Sequence, residues 1–156
     1  MHMHGPIAVI GGAGRLGALV TARLAGAGNG SAWSAGTRSA APPYPPRPRY
    51  GRRTCGTRTR WGPLRGSAAV VLSVEPGTAD SGPDSPETTM YGGVRNVLAA
   101  LADQPERPRL VLVSQIFVTR REHPMNAYGR LLDWRRRGEE AVRDSGLPTR
   151  WSGPAG

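Results

Sequence analysis

The sequence predicts an α/β protein with a parallel sheet and flanking helices, and three observations support this fold class. Three short runs, at residues 7–10, 68–74 and 110–114, are continuously apolar and rich in β-branched side chains. Uninterrupted runs of this kind are typical of parallel strands that are covered on both faces. Helical patterns alternate with these runs along the chain, which favours a parallel sheet with crossover helices.

Three segments have helical composition: residues 15–27, 88–102 and 127–144. Their apolar residues recur at helical spacing, and the positions concerned are Leu16, Leu19, Val20, Leu24, Val94, Val97, Leu98 and Leu101. Gly92 and Gly93 indicate that the second helix packs closely on the sheet. The third helix carries a charged group, Arg135–Arg137 with Glu139 and Glu140, which predicts a solvated face with local ion pairs. Phosphate binding by these arginines is a second interpretation.

Length and composition fit one domain, residues 1–156, rather than two. The single cysteine, Cys55, excludes an internal disulfide and fits a reducing cytoplasm. No apolar run approaches the roughly 18–20 residues that span a bilayer, and no signal peptide is recognisable. We therefore expect a cytoplasmic protein that is not attached to membranes.

The formal net charge of +10 raises nucleic acid as a partner. Its distribution argues against one, because residues 31–66 hold eight Arg and no acid, whereas the rest of the chain holds 13 Arg against 11 acids. Residues 29–66 also hold six Pro and have no apolar periodicity. We expect this segment to be irregular or disordered. Nucleic-acid binding through its arginines stays a third hypothesis.

A glycine motif directly follows the first predicted strand. It contains Gly12-x-Gly14-x-x-Gly17 and also Gly11-x-x-Gly14-x-x-Gly17, and a predicted helix begins within it. In the dinucleotide-binding turn the first glycine makes the tight turn, the second lets the backbone approach the pyrophosphate, and the third lets the helix pack on its strand. The helix N-terminus then offers N–H groups to the phosphates. The alternative is a glycine-rich turn without a ligand.

The predicted cofactor is NAD or NADP. The residues expected to bind it lie in the turn and at the carboxyl end of the run 68–74, and they are Gly11, Gly12, Ala13, Gly14, Arg15, Leu16, Gly17, Ser73 and Val74. The Arg15 guanidinium could reach an adenosine 2′-phosphate, which slightly favours NADP, although a solvated arginine explains this position as well. The acidic residue that usually selects NAD after the second strand is missing, since no Asp or Glu precedes Glu75.

The chain resembles an atypical short-chain dehydrogenase/reductase of the NmrA-like, NAD(P)H-binding group. The matching segments are IAVIGGAGRLG, AAVVLSVEP, MYGGVRNVLAAL, RLVLVSQIFV and NAYGRLLDWRRRGEEAVRDSGLP. The resemblance implies a Rossmann fold and an oxidoreductase that transfers hydride between the nicotinamide and an unknown small substrate. A non-catalytic, NAD(P)-sensing regulatory protein is the alternative.

The same resemblance places two candidate catalytic residues. Ser114 stands at the family's serine position at the end of a strand, and Tyr128 is the nearest tyrosine. The usual Tyr-x-x-x-Lys pair is absent, because Leu132 follows four residues after Tyr128 and the sequence contains no lysine. A packing tyrosine is the other interpretation of Tyr128. His123 is expected to be a solvated loop residue, and His2 and His4 are not expected to bind a metal.

Two signatures of the family are missing, at the second strand and after residue 148. Reading the codons of residues 54–61 one base earlier permits D-L-R-D-P-D-S-V. The same shift permits V-V-S-R-D-P for residues 32–38 and Y-T-V-V-R-P for residues 149–154. All three strings are family-like, so we hypothesise that residues from about 30 to 62 and 149–156 are translated out of frame, which leaves the second strand and the substrate region in doubt. A genuine arginine-rich insertion is the alternative.

Overall fold

The structure, a computed structural model, describes residues 5–12, 14–28, 64–102 and 104–149 together with the backbone of residues 33–35. These residues contain four strands and three α-helices. In order, they are β1 (Ile7–Ile10), α1 (Arg15–Gly26), β2 (Trp33–Ala35), β3 (Ala69–Leu72), α2 (Gly93–Ala102), β4 (Arg109–Leu112) and α3 (Leu131–Asp144). A π-helical turn, Glu87–Gly92, leads directly into α2, and a 3₁₀ turn, Pro124–Ala127, precedes α3.

The four strands form one parallel sheet in the order β2-β1-β3-β4. In the centre of the sheet, Ile7 of β1 stands opposite Ala69 of β3 and Ile10 opposite Leu72, while Leu72 in turn stands opposite Leu112 of β4. The predicted α/β fold with a parallel sheet is therefore confirmed.

The expectation that residues 29–66 are irregular or disordered is wrong at residues 33–35. Trp33–Ala35 pairs with β1 in parallel, with Ala8 opposite Trp33 and Ile10 opposite Ala35. A ladder is made by backbone N–H and C=O groups, so three residues without proline can add to a sheet edge with no apolar periodicity. Leu64, also within the segment expected to be irregular, is fully buried in the core. Residues 29–32 and 36–63 of this segment lie outside the described ones.

Alternate strand residues point to opposite faces of the sheet, and each face carries a core. On one face, Ala8, Val70 and Leu110 pack with side chains of α2 and α3, among them Val97 and Val142. On the other face the apolar cluster contains strand residues Ile7, Val9, Ala69 and Val71, with Val20 and Leu24 of α1 packed against it. The sheet is therefore covered by α1 on one side and by α2 and α3 on the other.

The apolar stripe of α2 is confirmed, since Val94, Val97 and Leu101 are buried and Leu98 packs against the core. The prediction of an apolar stripe on α1 is correct only in part. Leu16 and Leu19 are 49% and 63% exposed, and only the later residues of the stripe contact the sheet.

The third strand ends earlier than predicted. The predicted run extends to residue 114, but β4 ends at Leu112, and residues 116–119 form a turn in which Phe117 has φ +66°. Among the described residues, no helix is both long and apolar enough to cross a membrane.

Candidate dinucleotide-binding site

The glycine turn lies at the point where the strand order of the sheet reverses. The chain passes from β1 to β2 on one side of β1, and β3 then pairs with the other side of β1. In open parallel sheets, this switch point leaves a crevice outside the carboxyl ends of the strands, and ligands bind there. Gly11 directly follows β1, and Ser73 and Val74 directly follow β3, so both sets of predicted residues border the crevice.

Gly11 allows the turn to lie against the end of β3. Its φ of +82° is in the left-handed region, which glycine adopts without strain. A β carbon at this position would lie 2.7 Å from the carbonyl carbon of Ser73 and 3.2 Å from Cγ1 of Val74. The backbone N–H of Ser73 donates to the Ile10 carbonyl oxygen over 2.9 Å, which holds the two strand ends together. Only glycine fits here.

Gly17 plays the same part for the start of α1. A β carbon on Gly17 would lie 2.7 Å from the carbonyl carbon of Gly11 and 2.8 Å from Cα of Gly12. The helix can therefore begin directly against the turn only because this residue has no side chain. This is the close packing of helix on strand that the glycine motif predicts for its third glycine.

The N-terminus of α1 faces the same edge. The N–H of Gly14 donates to the Gly11 carbonyl oxygen over 2.9 Å, and the first helical bond runs from the N–H of Ala18 to the carbonyl oxygen of Gly14. The N–H groups between these two, from Arg15 to Gly17, precede the first helical bond, and Gly14 caps the helix without a side-chain hydrogen bond. The partial positive charge of the helix end is thus available to an anion.

The remaining predicted cofactor residues differ in position. Gly12 is buried in the turn, whereas Arg15 and Leu16 are exposed at the start of α1. Ala13 lies outside the described residues, as do His2, His4 and Cys55.

Ser114, the first candidate catalytic residue, follows β4 at the carboxyl edge. Its hydroxyl donates a short hydrogen bond to Oε1 of Glu139 on α3, and the side chain is half-buried. Glu139 itself is 2% exposed, and its Oε2 lies 3.5 Å from Nη2 of Arg143. The Ser114 proton therefore points to a buried carboxylate in the protein.

Tyr128, the second candidate, is also hydrogen-bonded within the protein. Its hydroxyl donates a short hydrogen bond to the carbonyl oxygen of Gly77, in the loop after β3. Tyr128 precedes α3, and Leu132, four residues later, is fully buried. The hydrogen bonds do not join Tyr128 to Ser114 as a catalytic pair.

Arg135 is a feature that sequence reasoning missed. The residue was expected on a solvated helix face, but it is 1% exposed. Its Nη1 donates to the Val113 carbonyl oxygen over 3.2 Å, and its Nη2 donates to that of Val74 over 3.3 Å. Nη2 also lies 3.4 Å from the exposed carboxylate of Glu75. The guanidinium thus joins the carboxyl ends of β3 and β4.

Burial lowers the pKa of Arg135, and the Glu75 and Glu139 carboxylates oppose that effect. Since a guanidinium stays protonated in proteins, a fixed positive charge lies at the carboxyl ends of β3 and β4. The predicted surface ion pair is present only on the outer side of α3, where Nε of Arg136 lies 2.9 Å from Oε1 of Glu140.

The helical period could have found Arg135 and Glu139. The residues of α3 that are buried are Leu131, Leu132, Arg135, Gly138, Glu139 and Val142. Both charged residues thus share the stripe of the apolar ones, and charged side chains at such positions have to be paired inside the protein.

No family model and no curated protein matches the sequence. Solved structures do match the fold. The chain has a Rossmann-type fold. It is similar to the enzyme WbmH of Bordetella bronchiseptica in complex with NAD⁺, with a TM-score of 0.71 and 16% identity over 93% of this chain and 53% of that one.

Two further structures are similar at the same level. One is WbmG of Bordetella bronchiseptica with NAD and UDP, with a TM-score of 0.68 and 17% identity over 94% of this chain and 51% of that one. The other is a monomeric L-threonine 3-dehydrogenase from a metagenome, with a TM-score of 0.67 and 17% identity over 92% of this chain and 51% of that one. The chain spans about half the length of these proteins. Because the complexes contain NAD or NAD⁺, they do not support a preference for NADP.

Proposed function

We propose that this chain binds a nicotinamide dinucleotide in its glycine turn and is related to NmrA-like NAD(P)-dependent oxidoreductases. The observation that carries the proposal is the turn itself. Gly11 and Gly17 have no room for a β carbon, and the backbone they create aims the N-terminus of α1 at the crevice between β1 and β3. A βα connection that binds no ligand needs neither of these close approaches. In the proposed reaction the nicotinamide supplies hydride chemistry and this chain orients the dinucleotide.

The matched pair Gly14→Ala and Gly26→Ala tests this proposal. Gly14 has φ −75° and ψ 168°, which alanine also adopts, and an added β carbon would meet only the Gly11 carbonyl oxygen, at 3.2 Å. Gly26, near the end of α1, has nothing within 4 Å of an added β carbon. Titrating the full chain with NADH, followed by its fluorescence, should show binding that Gly14→Ala weakens about tenfold or more, or about 1.4 kcal/mol. Gly26→Ala should bind like the parent chain. Equal affinity of Gly14→Ala and the parent would exclude the turn as the pyrophosphate site.

The same titration with NADPH tests the role of Arg15. If its guanidinium binds a 2′-phosphate, NADPH binds more tightly than NADH and Arg15→Ala removes the difference. Equal affinities in the parent chain would assign Arg15 to solvent.

A second candidate function, a non-catalytic dinucleotide sensor, is favoured by the two hydroxyls. Those of Ser114 and Tyr128 donate to Glu139 and to the Gly77 carbonyl oxygen, so neither proton is directed at a ligand. A sensor predicts cofactor binding without turnover across a panel of quinones and carbonyl compounds. Turnover that falls sharply in Tyr128→Phe at unchanged NADH affinity would instead make Tyr128 a proton donor and favour the oxidoreductase.

A further inference from the structure

We propose that the loop after β4 binds a planar aromatic compound that carries a negative charge. This inference rests on the proposed function, because it names the substrate class of the same crevice. The binding surface, which we call the aromatic platform, consists of Ile116, Phe117, His123 and Met125 with Arg120 beside them.

The platform lies at the ligand edge of the sheet. The loop that holds it follows β4, whose carboxyl end faces the same side as that of β1 because the strands are parallel. β3 alone separates the two strands, so their ends lie about 10 Å apart at the usual strand spacing. The platform therefore lies on a loop at the same edge of the sheet as the glycine turn.

The platform exposes apolar side chains. Among the described residues, five large apolar side chains are markedly exposed, and three of them, Ile116 (54%), Phe117 (39%) and Met125 (39%), belong to this one loop. Clustered exposed apolar residues mark binding surfaces more often than scattered ones do. The other two, Leu16 and Leu19, lie on α1.

Aromatic stacking makes the platform suited to a flat ring. The rings of Phe117 and His123 are stacked, with centroids 4.4 Å apart and an interplanar angle of 16°. His123 accepts a hydrogen bond at Nδ1 from the N–H of Met125 over 3.3 Å. In the neutral imidazole this places the proton on Nε2, which becomes a donor. The stack thus combines an aromatic surface with one directed N–H group.

The backbone of Phe117 is held in an unfavourable conformation. Its φ of +66° is one that residues with a β carbon rarely adopt. The turn that imposes it is closed by hydrogen bonds of 2.9 Å from the N–H of Arg120 to the Phe117 carbonyl oxygen and of 3.2 Å from the N–H of His123 to that of Arg120. Glycine would fit this position without strain, so stability does not explain a half-exposed phenylalanine here, whereas ligand binding does.

The charge near the stack selects an anion. The guanidinium carbon of Arg120 lies 5.7 Å from the centre of the Phe117 ring, and Arg121 follows it in the chain. Within the described part of the chain, Arg120 makes no ion pair with an acidic side chain. Between residues 116 and 125, Glu122 is the one acid, against Arg120 and Arg121. An aromatic ring on the platform that bears a carboxylate or a similar group would satisfy Arg120.

The probes are 2-naphthoate, its neutral analogue 2-naphthol, and UDP, each titrated into the full chain by calorimetry or ligand-observed NMR. We expect 2-naphthoate to bind, and Phe117→Ala to weaken it at least tenfold. Arg120→Gln should weaken 2-naphthoate but leave 2-naphthol unchanged. Leu19→Ala, which changes another exposed apolar residue, on α1, is the control and should have no effect.

Phe117→Gly separates binding from folding. Because glycine relieves the positive φ, this variant should unfold at a temperature no lower than the parent does, and yet lose 2-naphthoate. Unchanged 2-naphthoate binding in either Phe117 variant, no 2-naphthoate binding by the parent chain, or binding of UDP in preference to 2-naphthoate would overturn the proposal. A parallel NADH titration reports the proposed function separately. Loss of 2-naphthoate with NADH retained supports the platform, whereas absent NADH binding contradicts the dinucleotide site and leaves the platform result readable.

Discussion

Replacing Gly17 by alanine should destabilise the protein, although alanine is the better helix former. The added methyl would lie 2.7 Å from the carbonyl carbon of Gly11, whereas carbon atoms pack at about 3.5 Å or more, so the start of α1 must retreat by about 0.8 Å. The atoms that it meets belong to the backbone and cannot turn aside. Overpacking of this kind costs roughly 1–3 kcal/mol, and the helix propensity of alanine returns at most about 1 kcal/mol. We expect a net loss of about 1–2 kcal/mol.

Gly26→Ala, in the same helix, should have the opposite sign. With open space around an added β carbon, only the propensity gain of about 0.5–1 kcal/mol remains. Urea unfolding followed by far-UV circular dichroism measures both changes as shifts of the midpoint at constant slope. If Gly17→Ala proves as stable as the parent chain or more so, the close approach of α1 to the turn is not real and the argument for the site fails with it.

Two further predictions concern charged residues. Arg135→Met leaves the Val74 and Val113 carbonyl oxygens without their donor and removes a cation near the buried Glu139. We expect this variant to lose about 2–4 kcal/mol of unfolding free energy, measured in urea. Arg136→Met is the control, because its ion pair with Glu140 is exposed, and its stability should change by less than about 1 kcal/mol. Burial would raise the pKa of Asp133, but hydrogen bonds from Arg130 and Asn126 outweigh it and hold the pKa below its usual value. This stabilisation is present above the ordinary aspartate pKa of about 3.9 and is lost as the pH falls through the lower, folded-state value. Asp133→Asn should therefore flatten the acid side of a plot of melting temperature against pH, and an unchanged profile would remove Asp133 from the acid transition.

The central elements could be predicted because burial dictates their residue types. β1 begins and ends at the predicted residues, because its apolar run is bounded by Pro6 on one side and by the glycine turn on the other. The start of α3 could not be placed, because Gly129 and Arg130 adopt φ +49° and +58° and delay the helix to Leu131. A left-handed arginine has no signature in composition. The strand at residues 33–35 escaped notice for a similar reason, since it depends on backbone pairing with β1.

The parts of the candidate site that consist of consecutive residues could be predicted, whereas the parts that depend on contacts between distant residues could not. The glycine turn, with Gly11, Gly14 and Gly17, is written in consecutive residues, and the structure gives Gly11 and Gly17 the expected close contacts. The partners of Ser114 and Tyr128 lie 25 and 51 residues away in the chain, so no local pattern could show that their hydroxyls are hydrogen-bonded inside the protein.

The pairing of β1 with β3 has a consequence for how this chain folds. Ile7 and Ala69, which stand opposite each other, are separated by about sixty positions, and every neighbouring pair in the sheet is parallel, so no hairpin can nucleate it. Sheets built from such distant pairings assemble slowly, because chain entropy is lost before contacts repay it. That loss grows only with the logarithm of the number of residues enclosed, by about 0.6 kcal/mol for each doubling. The free energy of closing the β1–β3 pairing therefore depends only weakly on the number of residues that lie between the two strands.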